Sequence, residues 1–421
     1  MTEYCTENSE PRQVFGGPFD DQDVEHGYAE HGFCPASRAI YLLLDGTRRT
    51  EAVELAELAL AEYSCQDRSS CVWYALLTLL YSDELLLADA HCTRLKEKQE
   101  WSYRTVPRMV LLLVEARICH LSGAHQQAFV LFDQLLRGIE PNEIREISVA
   151  WFAESLVSVG QYRRAEWLLA DYGYLDSVSD CRSGKVHLLC VRGVISLCAG
   201  KMGAAVRDYV ACDRLLSANG VRNGVVVPWR TRAACVENQL GRTTVAKRLV
   251  KNELSRARVW GAPSGVARAL CSGVLLEEYR NPGNAANEAI GLLQSGHNRS
   301  DLPMLLTLLG KFLSNQNDIA RGRQFLRQAI ASGREFENEY WVGVADSALG
   351  GIEAPRKMTS QEFRVCRLAS AGYSNGEIAD KLSLTRRAIE YHLTSVYSKH
   401  GISGRREIEI MQSYFDEISL D

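Results

Sequence analysis

The residues best suited to chemistry lie close together near the C-terminus, in the stretch TRRAIEYHLTSVYSK, residues 385–399. This stretch offers guanidinium, phenol, imidazole, hydroxyl and ammonium groups on neighbouring turns of a possible helix. Side chains of these types form hydrogen bonds and ion pairs with phosphates and with the edges of bases. The stretch therefore predicts a surface that binds an anionic, hydrogen-bonding ligand.

Other kinds of chemical site find little support in the sequence. The motifs GxxxxGK[ST], GxSxG and HExxH are absent, so we expect no enzyme. The chain has 13 cysteines and no CxxC pair, which argues against a disulfide framework or a zinc knuckle. Three His/Cys pairs lack further ligands nearby, so we interpret them as packing residues and expect no metal and no cofactor: His187/Cys190, His91/Cys92 and Cys119/His120.

Three helices are predicted to position the donor-rich stretch. Thr359 and Glu362 form a capping-box pattern at the start of the first helix, which Gly372 ends. Ser374 or Asn375 caps the second helix, GEIADKL. The three residues 383–385 then make a tight turn, and Thr385 caps a third helix from Arg386 to about His400. This spacing is typical of a helix-turn-helix unit.

The third predicted helix has two different sides. One side is an apolar stripe that suits packing: Ala388, Ile389, Leu393 and Val396. The remaining positions can face outward: Arg386, Arg387, Glu390, Tyr391, Thr394, Ser395 and Ser398. A solvated face of an ordinary helix is the alternative interpretation. Caps, turn and stripe occur together, which favours a helix that enters the major groove of DNA.

Residues 358–408 resemble the C-terminal DNA-binding domain of LuxR-type transcription regulators. The resemblance rests on the motifs TxxE, LAxxGxSNxEIAxxLxL and IEYHLxxVYxKxGIxxR. It implies that the third helix lies in the major groove and that a fourth helix, about Gly404 to Phe415, pairs two subunits. Two groups of contacts are implied: Glu390, Tyr391 and Thr394 at base edges, and His392, Lys399, Ser374 and Asn375 near phosphates.

The sequence departs from the family pattern at three positions. Ala388 stands where threonine is frequent, Gly376 where lysine is frequent, and Arg386 where proline or an acidic residue is frequent. Glycine at position 376 cannot bind a phosphate through a side chain as lysine does, and Arg386 or Arg387 is expected to compensate. Arg387 suits either guanine, at about 1 to 3 kcal/mol of discrimination, or a phosphate, and the sequence leaves this choice open.

A repeat organises the first 350 residues. Gly123, Gly160, Gly200 and Gly241 are each followed five residues later by alanine. The full series of small residues recurs every 36 to 41 positions: Ala52, Ala88, Ala128, Ala165, Ala205, Ala246, Ala286 and Gly322. Glycine suits a left-handed helix end, and alanine allows two helices to approach closely. The pattern predicts about eight helical hairpins and resembles the tetratricopeptide repeat family, at a longer period.

The predicted fold class is all-α: a tetratricopeptide-like helical-repeat solenoid followed by a small four-helix helix-turn-helix domain. The predicted boundaries are an acidic flexible tail at 1–35, repeats at 36–350, a linker at 351–357 and the DNA-binding domain at 358–421. The solenoid groove is expected to bind a small molecule or a protein. Aromatic residues suit either this groove or the core, and the core is favoured: Trp73, Tyr74, Trp151, Phe152, Trp229, Trp260, Tyr340 and Trp341.

Charge is distributed unevenly along the chain. The formal net charge is -4 overall, with +1 for residues 356–421 and -5 for residues 1–355. A local basic face is therefore expected to meet double-stranded DNA. The sequence has no secretory leader and no apolar run of about 18 residues, so we expect a cytoplasmic protein without a membrane partner.

The sequence as a whole predicts a sequence-specific regulator of transcription that binds two-fold symmetric promoter sites as a homodimer. Activation, and not repression, is implied by the resemblance alone. Two alternatives remain open. One is a protein adaptor whose helix-turn-helix unit no longer binds DNA. The other, less favoured, is a sigma-factor-like promoter reader, which shares TxxE and the helix-turn-helix spacing but not the IEYHL helix.

Overall fold

The computed structural model describes residues 15, 34–61, 69–99, 101, 105–138, 143–179, 181, 184–353, 359–400, 404, 405 and 408. All 20 regular elements within these residues are helices, which confirms the all-α prediction. In this part of the chain no helix is long and apolar enough to cross a membrane. No group of three or more His, Cys, Asp and Glu among the same residues is arranged to hold a metal ion.

The chain divides into two compact units, which we call the repeat unit (residues 1–346) and the C-terminal unit (residues 347–421). The division falls within a helix that runs from Glu339 to Glu353. The predicted domain boundaries remain predictions. Apart from Phe15, Cys34 and Pro35, the predicted tail lies outside the described residues, as does most of the predicted linker and of the fourth helix.

In the part of the chain that the structure describes, the repeat unit contains eight consecutive helical hairpins and one further helix. The helices are α1 Pro35–Asp45, α2 Arg49–Ala61, α3 Ser69–Tyr81, α4 Leu85–Lys96, α5 Thr105–Ser122, α6 His125–Gly138, α7 Glu143–Ser158, α8 Tyr162–Asp171, α9 Lys185–Cys198, α10 Met202–Ala218, α11 Trp229–Gln239, α12 Thr243–Trp260, α13 Pro263–Leu275, α14 Pro282–Ser295, α15 Leu302–Asn315, α16 Ile319–Glu335 and α17 Glu339–Glu353.

The predicted small residues lie where the two helices of each hairpin meet. All seven alanines of the series are 0% exposed, and Gly322 is buried as well. The four turn glycines have φ between 73° and 96°, in the left-handed region. Asp83 and Asn317 take the same place, five residues before Ala88 and Gly322, and adopt φ of 62° and 67°. Six of the eight turns therefore have a left-handed residue at this place, whether or not it is glycine, and Asn281, five residues before Ala286, is an exception with φ of -123°.

The second half of the repeat unit packs against the first half, through hydrogen bonds that join residues 178 to 183 positions apart. The acceptors are carbonyl groups in the last turn of the first helix of hairpins one to four, which have no partner within their own helix. The bonds are Arg222 N and Asn223 N to Leu44 O, Trp260 Nε1 to Tyr81 O, Arg299 N and Ser300 N to Leu121 O, and Trp341 Nε1 to Ser158 O. The solenoid thus turns once in about four and a half hairpins and then stacks on itself.

Most of the aromatic residues that were expected in the core are there. Trp73, Trp151, Phe152, Trp229, Trp260 and Trp341 are buried, with exposures of 8% or less. Tyr74 is half-buried, and Tyr340 is 39% exposed. Burial does not exclude a second role, because Trp151 also lines an internal cavity.

Besides the end of α17, the described part of the C-terminal unit contains three helices: α18 Ser360–Ser370, α19 Asn375–Leu382 and α20 Arg386–His400. Their apolar sides share one core, made of Val365, Cys366, Ala369, Ile378, Ala379, Ile389, Leu393, Val396 and Ile408. Three members of the predicted stripe of α20 are buried, whereas Ala388 is half-buried. The apolar stripe therefore fixes which side of α20 turns away from the core.

Candidate DNA-binding surface

A reciprocal capping box starts α18 and also reaches α20. The backbone N–H of Glu362 donates to Thr359 Oγ1 at 3.2 Å, and the backbone N–H of Thr359 donates to Glu362 Oε2 at 2.8 Å. The second carboxylate oxygen, Oε1, accepts a hydrogen bond of 2.7 Å from the Ser395 hydroxyl. Because Glu362 is only 4% exposed, its carboxylate joins the start of α18 to the middle of α20 away from water.

A second capping box, at the start of α19, settles which residue caps this helix. Ser374 is the cap: its Oγ accepts from the N–H of Glu377 at 3.4 Å, and Glu377 Oε2 accepts from the N–H of Ser374 at 2.7 Å. These hydrogen bonds to Ser374 lower the pKa of Glu377. Asn375 is the first residue of α19, and its Oδ1 accepts a hydrogen bond of 2.7 Å from Arg405. Arg405 therefore steadies the first turn of α19.

The turn between α19 and α20 is as short as the sequence predicts. Ser383 ends α19 in the left-handed conformation, with φ of 54°. The N–H of Leu384 donates to Ala379 O at 3.0 Å, which satisfies one of the last carbonyls of α19. Thr385 Oγ1 accepts from the N–H of Ala388 at 3.2 Å and so caps α20. Both ends of the turn are held by hydrogen bonds, which fixes the start of α20 relative to α19.

Five of the predicted contact residues form one exposed face of α20. They are Arg386, Arg387, Glu390, Tyr391 and Thr394. At 3.6 residues per turn they span an arc of about 140°. We call this set the exposed face of α20. It lies away from Ile389, Leu393 and Val396, which pack in the core.

The groups on the exposed face are available to a ligand. Tyr391 is 73% exposed, the highest value among the large apolar and aromatic side chains that stand out from the described surface. Arg386 Nε lies 3.9 Å from Glu390 Oε1, and both side chains are more than half exposed. The Thr394 hydroxyl donates to Glu390 O at 2.8 Å, so its oxygen retains the capacity to accept. The face thus presents cationic donors, a phenol and acceptors side by side.

The other predicted contact residues lie on one flank of α20 or at the start of α19. His392 is half-buried, and its ring lies 5.8 Å from the ring of Tyr391. Ser395 is half-buried on the same flank, where its hydroxyl is bonded to Glu362. Lys399 belongs to α20, but its side chain lies outside the described residues, as does that of Ser398. Ser374 and Asn375 carry the contacts that start α19.

Two residues of this region escape prediction from sequence. Lys381 Nζ lies 4.6 Å from the ring centre of Tyr373, a cation–π contact that joins the end of α19 to the residue before its cap. Arg405 was visible only as a motif position, without a structural role. Both contacts join residues of different elements, so the helical periodicity of the sequence does not predict them.

Comparison with known proteins agrees with this geometry. Residues 356–412 match the family GerE, described as bacterial regulatory proteins, luxR family. This segment is a LuxR-family helix-turn-helix domain. The motifs on which the resemblance was based lie within it, and the resemblance is thereby confirmed.

Curated relatives match short parts of the chain. A putative HTH-type transcriptional regulator of Mycobacterium bovis is 31% identical over 93 residues, which cover 21% of this chain and 10% of that protein. Transcriptional regulatory protein ComA of Bacillus subtilis is 40% identical over 50 residues, which cover 12% of this chain and 23% of that protein. The chain thus spans a tenth to a quarter of the length of these relatives.

One solved structure covers most of the chain. The apo form of RapI aligns over 86% of this chain and 98% of its own, with a TM-score of 0.34 and 12% sequence identity. We assign the helical-repeat architecture of the repeat unit from its own eight described hairpins.

Proposed function

We propose that this protein is a sequence-specific DNA-binding regulator of transcription, and that it activates its target promoters. The observation that supports this most strongly is the exposed face of α20. It carries two arginines and a 73% exposed tyrosine on a helix that a short turn and three caps hold in place. A helix presented in this way suits the width of the major groove.

The proposed contacts divide into bases and phosphates. Glu390, Tyr391 and Thr394 meet base edges from the exposed face of α20. Arg387 meets guanine or a phosphate, and Arg386 a phosphate. Phosphate contacts also come from Thr385, His392, Ser395 and Lys399, and from the start of α19 at Ser374 and Asn375. Positioning by phosphates fixes the register of α20 in the groove, and the base contacts then read the sequence.

The hydroxyl groups of Ser374 and Ser395 already have partners within the domain. Ser374 donates to Glu377 Oε2 at 2.8 Å, and Ser395 donates to Glu362 Oε1 at 2.7 Å. Each hydroxyl therefore already donates its single hydrogen within the domain, and it must release this bond before it can donate to a phosphate. The backbone N–H of Ser374 is engaged as well, with Glu377 Oε2 at 2.7 Å. The N–H groups of the next residues, Asn375 and Gly376, are therefore the better phosphate ligands at this helix start, because a helix N-terminus attracts anions.

We further propose that the protein binds DNA as a homodimer at two-fold symmetric sites, and that the repeat unit docks a partner. Two copies of α20 on one duplex double the number of base contacts, and symmetry in the protein is matched by symmetry in the site. The eight stacked hairpins supply a large surface for a partner. No cofactor is needed for either role.

The test is DNA capture and sequencing with the purified full-length protein. It is run beside the double variant Arg387→Ala, Tyr391→Ala and beside Arg364→Ala, which removes an exposed arginine from α18. We expect the wild type and Arg364→Ala to enrich one shared, two-fold symmetric motif that the double variant loses. Equal enrichment by all three proteins would sink the assignment of α20, and no enrichment by any of them would favour the adaptor.

A further inference from the structure

The repeat unit contains an internal cavity of about 40 Å³ where its two halves meet. The first helices of six successive hairpins, α3, α5, α7, α9, α11 and α13, all contribute to its walls. One wall carries a desolvated ion-pair cluster: Glu154 Oε2 lies 2.7 Å from Arg117 and Oε1 lies 2.8 Å from Arg232. Burial alone raises the pKa of Glu154, but the two guanidinium groups hold it well below its usual range, so the carboxyl is ionised.

Aromatic side chains beside this cluster carry polar atoms that have no hydrogen-bond partner in the described structure, and the guanidinium of Arg117 lies 4.8 Å from the ring centre of Trp151. These polar atoms are Tyr81 Oη, Trp151 Nε1 and His187 Nε2. All three side chains are buried, and burial lowers the pKa of His187 to about 3, so its ring is neutral. Most buried polar groups in native proteins have partners, and three exceptions around one cavity point to a ligand that is not part of the helical fold.

Phe15 lies against these aromatic side chains. Its ring centre is 5.5 Å from that of Tyr81 and 5.9 Å from that of His187, and the side chain is 0% exposed. These distances are typical of aromatic packing pairs. Phe15 precedes the described start of the helical fold at Cys34 by 19 residues, and residues 16–33 contain five acidic residues and four glycines. These residues lie outside the described part of the chain and belong to the tail that the sequence predicts to be flexible.

We propose that Tyr81 and His187 form a binding site for an aromatic side chain of a peptide, and that Phe15 is its intramolecular occupant. The inference rests on the partner-docking part of the proposed function and is independent of DNA recognition. The site takes the ring of phenylalanine, flanked by small or polar residues as in the sequence QVFGGP around Phe15. A partner that also forms hydrogen bonds with Tyr81, Trp151 or His187 would bind this site more tightly than the phenyl ring of Phe15, which forms none.

Phe15 and a peptide in solution would compete for the same site, and the length of the link to Phe15 sets the strength of this competition. The sequence predicts that the link from Phe15 to Cys34 is flexible, and a flexible link of this length would hold its ligand at an effective concentration on the order of mM. A peptide in solution therefore competes poorly while Phe15 is in place and binds readily once the ring is removed. Loss of the Phe15 ring should reveal the site.

The test uses a fluorescent peptide of residues 8–22, NSEPRQVFGGPFDDQ, titrated by anisotropy against the full-length chain without DNA. The chains are wild type, Phe15→Ala, and Phe19→Ala, which removes the other phenylalanine of the same segment. We expect the peptide to bind Phe15→Ala about tenfold or more tightly than it binds wild type or Phe19→Ala. A peptide that itself carries Phe15→Ala should not bind.

Equal binding to all three chains, or no binding to a Phe15→Ala chain of normal helical content, would overturn the proposal. If Phe15→Ala loses helical content, Phe15→Leu replaces it, since leucine keeps the apolar volume but not the ring. The same tenfold preference is then expected, and its absence counts against the site. Because no DNA is present, failure here is separate from failure of the proposed DNA binding.

Discussion

At the scale of single residues, the side chains that could bind a ligand are exposed on α20, whereas three titratable histidines of the repeat unit are buried. Tyr391 and the arginines beside it are exposed on α20, where they can meet a ligand. His120, His125 and His187 are buried in the repeat unit, with ring nitrogens that have no hydrogen-bond partner. A buried imidazole without a partner resists protonation, because its cation loses hydration and gains nothing in return.

These histidines predict that the repeat unit loses stability as the pH falls. Burial lowers the pKa of all three, to about 4 for His125, to about 3 for His187 and well below the usual range for His120. Below pH 6.5 the unfolded chain binds protons that the folded chain excludes, so the free energy of unfolding falls by about 1.4 kcal/mol per pH unit for each histidine. Urea unfolding, followed by tryptophan fluorescence at pH 7, 6 and 5, measures this slope.

Two variants test whether the buried histidines cause this change of the free energy of unfolding with pH. His187→Gln should make the slope between pH 6 and 5 shallower, since it removes one of several groups, the half-buried His91 among them, whose pKa burial lowers. His297→Gln, at an exposed position, should leave it unchanged. A slope that is the same in His187→Gln as in the wild type would contradict the assignment.

At the scale of elements, the helix starts of the C-terminal unit are defined by side chains and not by the apolar pattern. α18 and α19 each begin with a complete capping box, but the two differ in burial. Glu362 is buried and also accepts from Ser395 on α20. Glu377 is exposed and serves only its own helix. The first box therefore joins two elements, and the second stabilises one.

This difference predicts unequal effects of removing the two carboxylates. Glu362→Ala should destabilise the C-terminal unit by about 2 kcal/mol, because it removes a cap and leaves the Ser395 hydroxyl without its acceptor. Glu377→Ala should have a smaller effect, confined to the first turn of α19. Hydrogen exchange of α18, α19 and α20 in the full-length chain distinguishes the two. Faster exchange in α20 with Glu377→Ala than with Glu362→Ala would contradict the argument.

The capping boxes also show how far sequence reasoning carries at this scale. The patterns TSQE and SNGE, read locally, are sufficient to predict both helix starts, because the partners are three residues apart. The bond from Ser395 to Glu362 joins residues 33 positions apart. A helical stripe assigns Ser395 to the outward side, since it says nothing about a carboxylate at the start of another helix. The hydrogen bond from Arg405 to Asn375 joins residues 30 positions apart and is not predicted by local patterns for the same reason.

At the scale of the whole repeat unit, hairpins are encoded locally and their stacking is not. Small residues at 36 to 41 position spacing were sufficient to predict eight hairpins, because each contact lies within one repeat. The contacts between superhelical turns use backbone carbonyls and isolated side chains such as Asn338 and Trp341. These residues follow no period, so the sequence pattern does not indicate them.

A turn glycine can be required for two reasons: its positive φ, and the lack of space for a Cβ where another superhelical turn packs against it. A comparison of Gly160 with Gly200 distinguishes these two reasons. Both have positive φ, of 75° and 73°. A Cβ on Gly160 would meet the Tyr340 ring at 2.3 Å, whereas a Cβ on Gly200 would meet nothing within 4 Å. Gly200→Ala should therefore cost about 1 to 2 kcal/mol for its conformation alone. Gly160→Ala should cost about 3 kcal/mol or more, because the ring must also move.

The measurement is the midpoint of urea unfolding for each variant. Adding Tyr340→Ala to Gly160→Ala should recover part of the loss, since it removes the atoms that clash, whereas adding it to Gly200→Ala should recover nothing. Equal losses for Gly160→Ala and Gly200→Ala would mean that the stacking of superhelical turns does not constrain this glycine.

The central claim concerns the exposed face of α20, and one titration tests it most directly. Full-length wild type, Arg387→Ala and Arg364→Ala are titrated by anisotropy with a duplex that carries the captured motif and with a scrambled duplex, at one fixed salt concentration. If Arg387 meets guanine, Arg387→Ala should lose about 1 to 3 kcal/mol on the motif and much less on the scrambled duplex, while Arg364→Ala stays close to wild type. If it meets a phosphate, the loss should be similar on both duplexes. Wild-type affinity for both duplexes in Arg387→Ala, or an equal loss in Arg364→Ala, would contradict the claim.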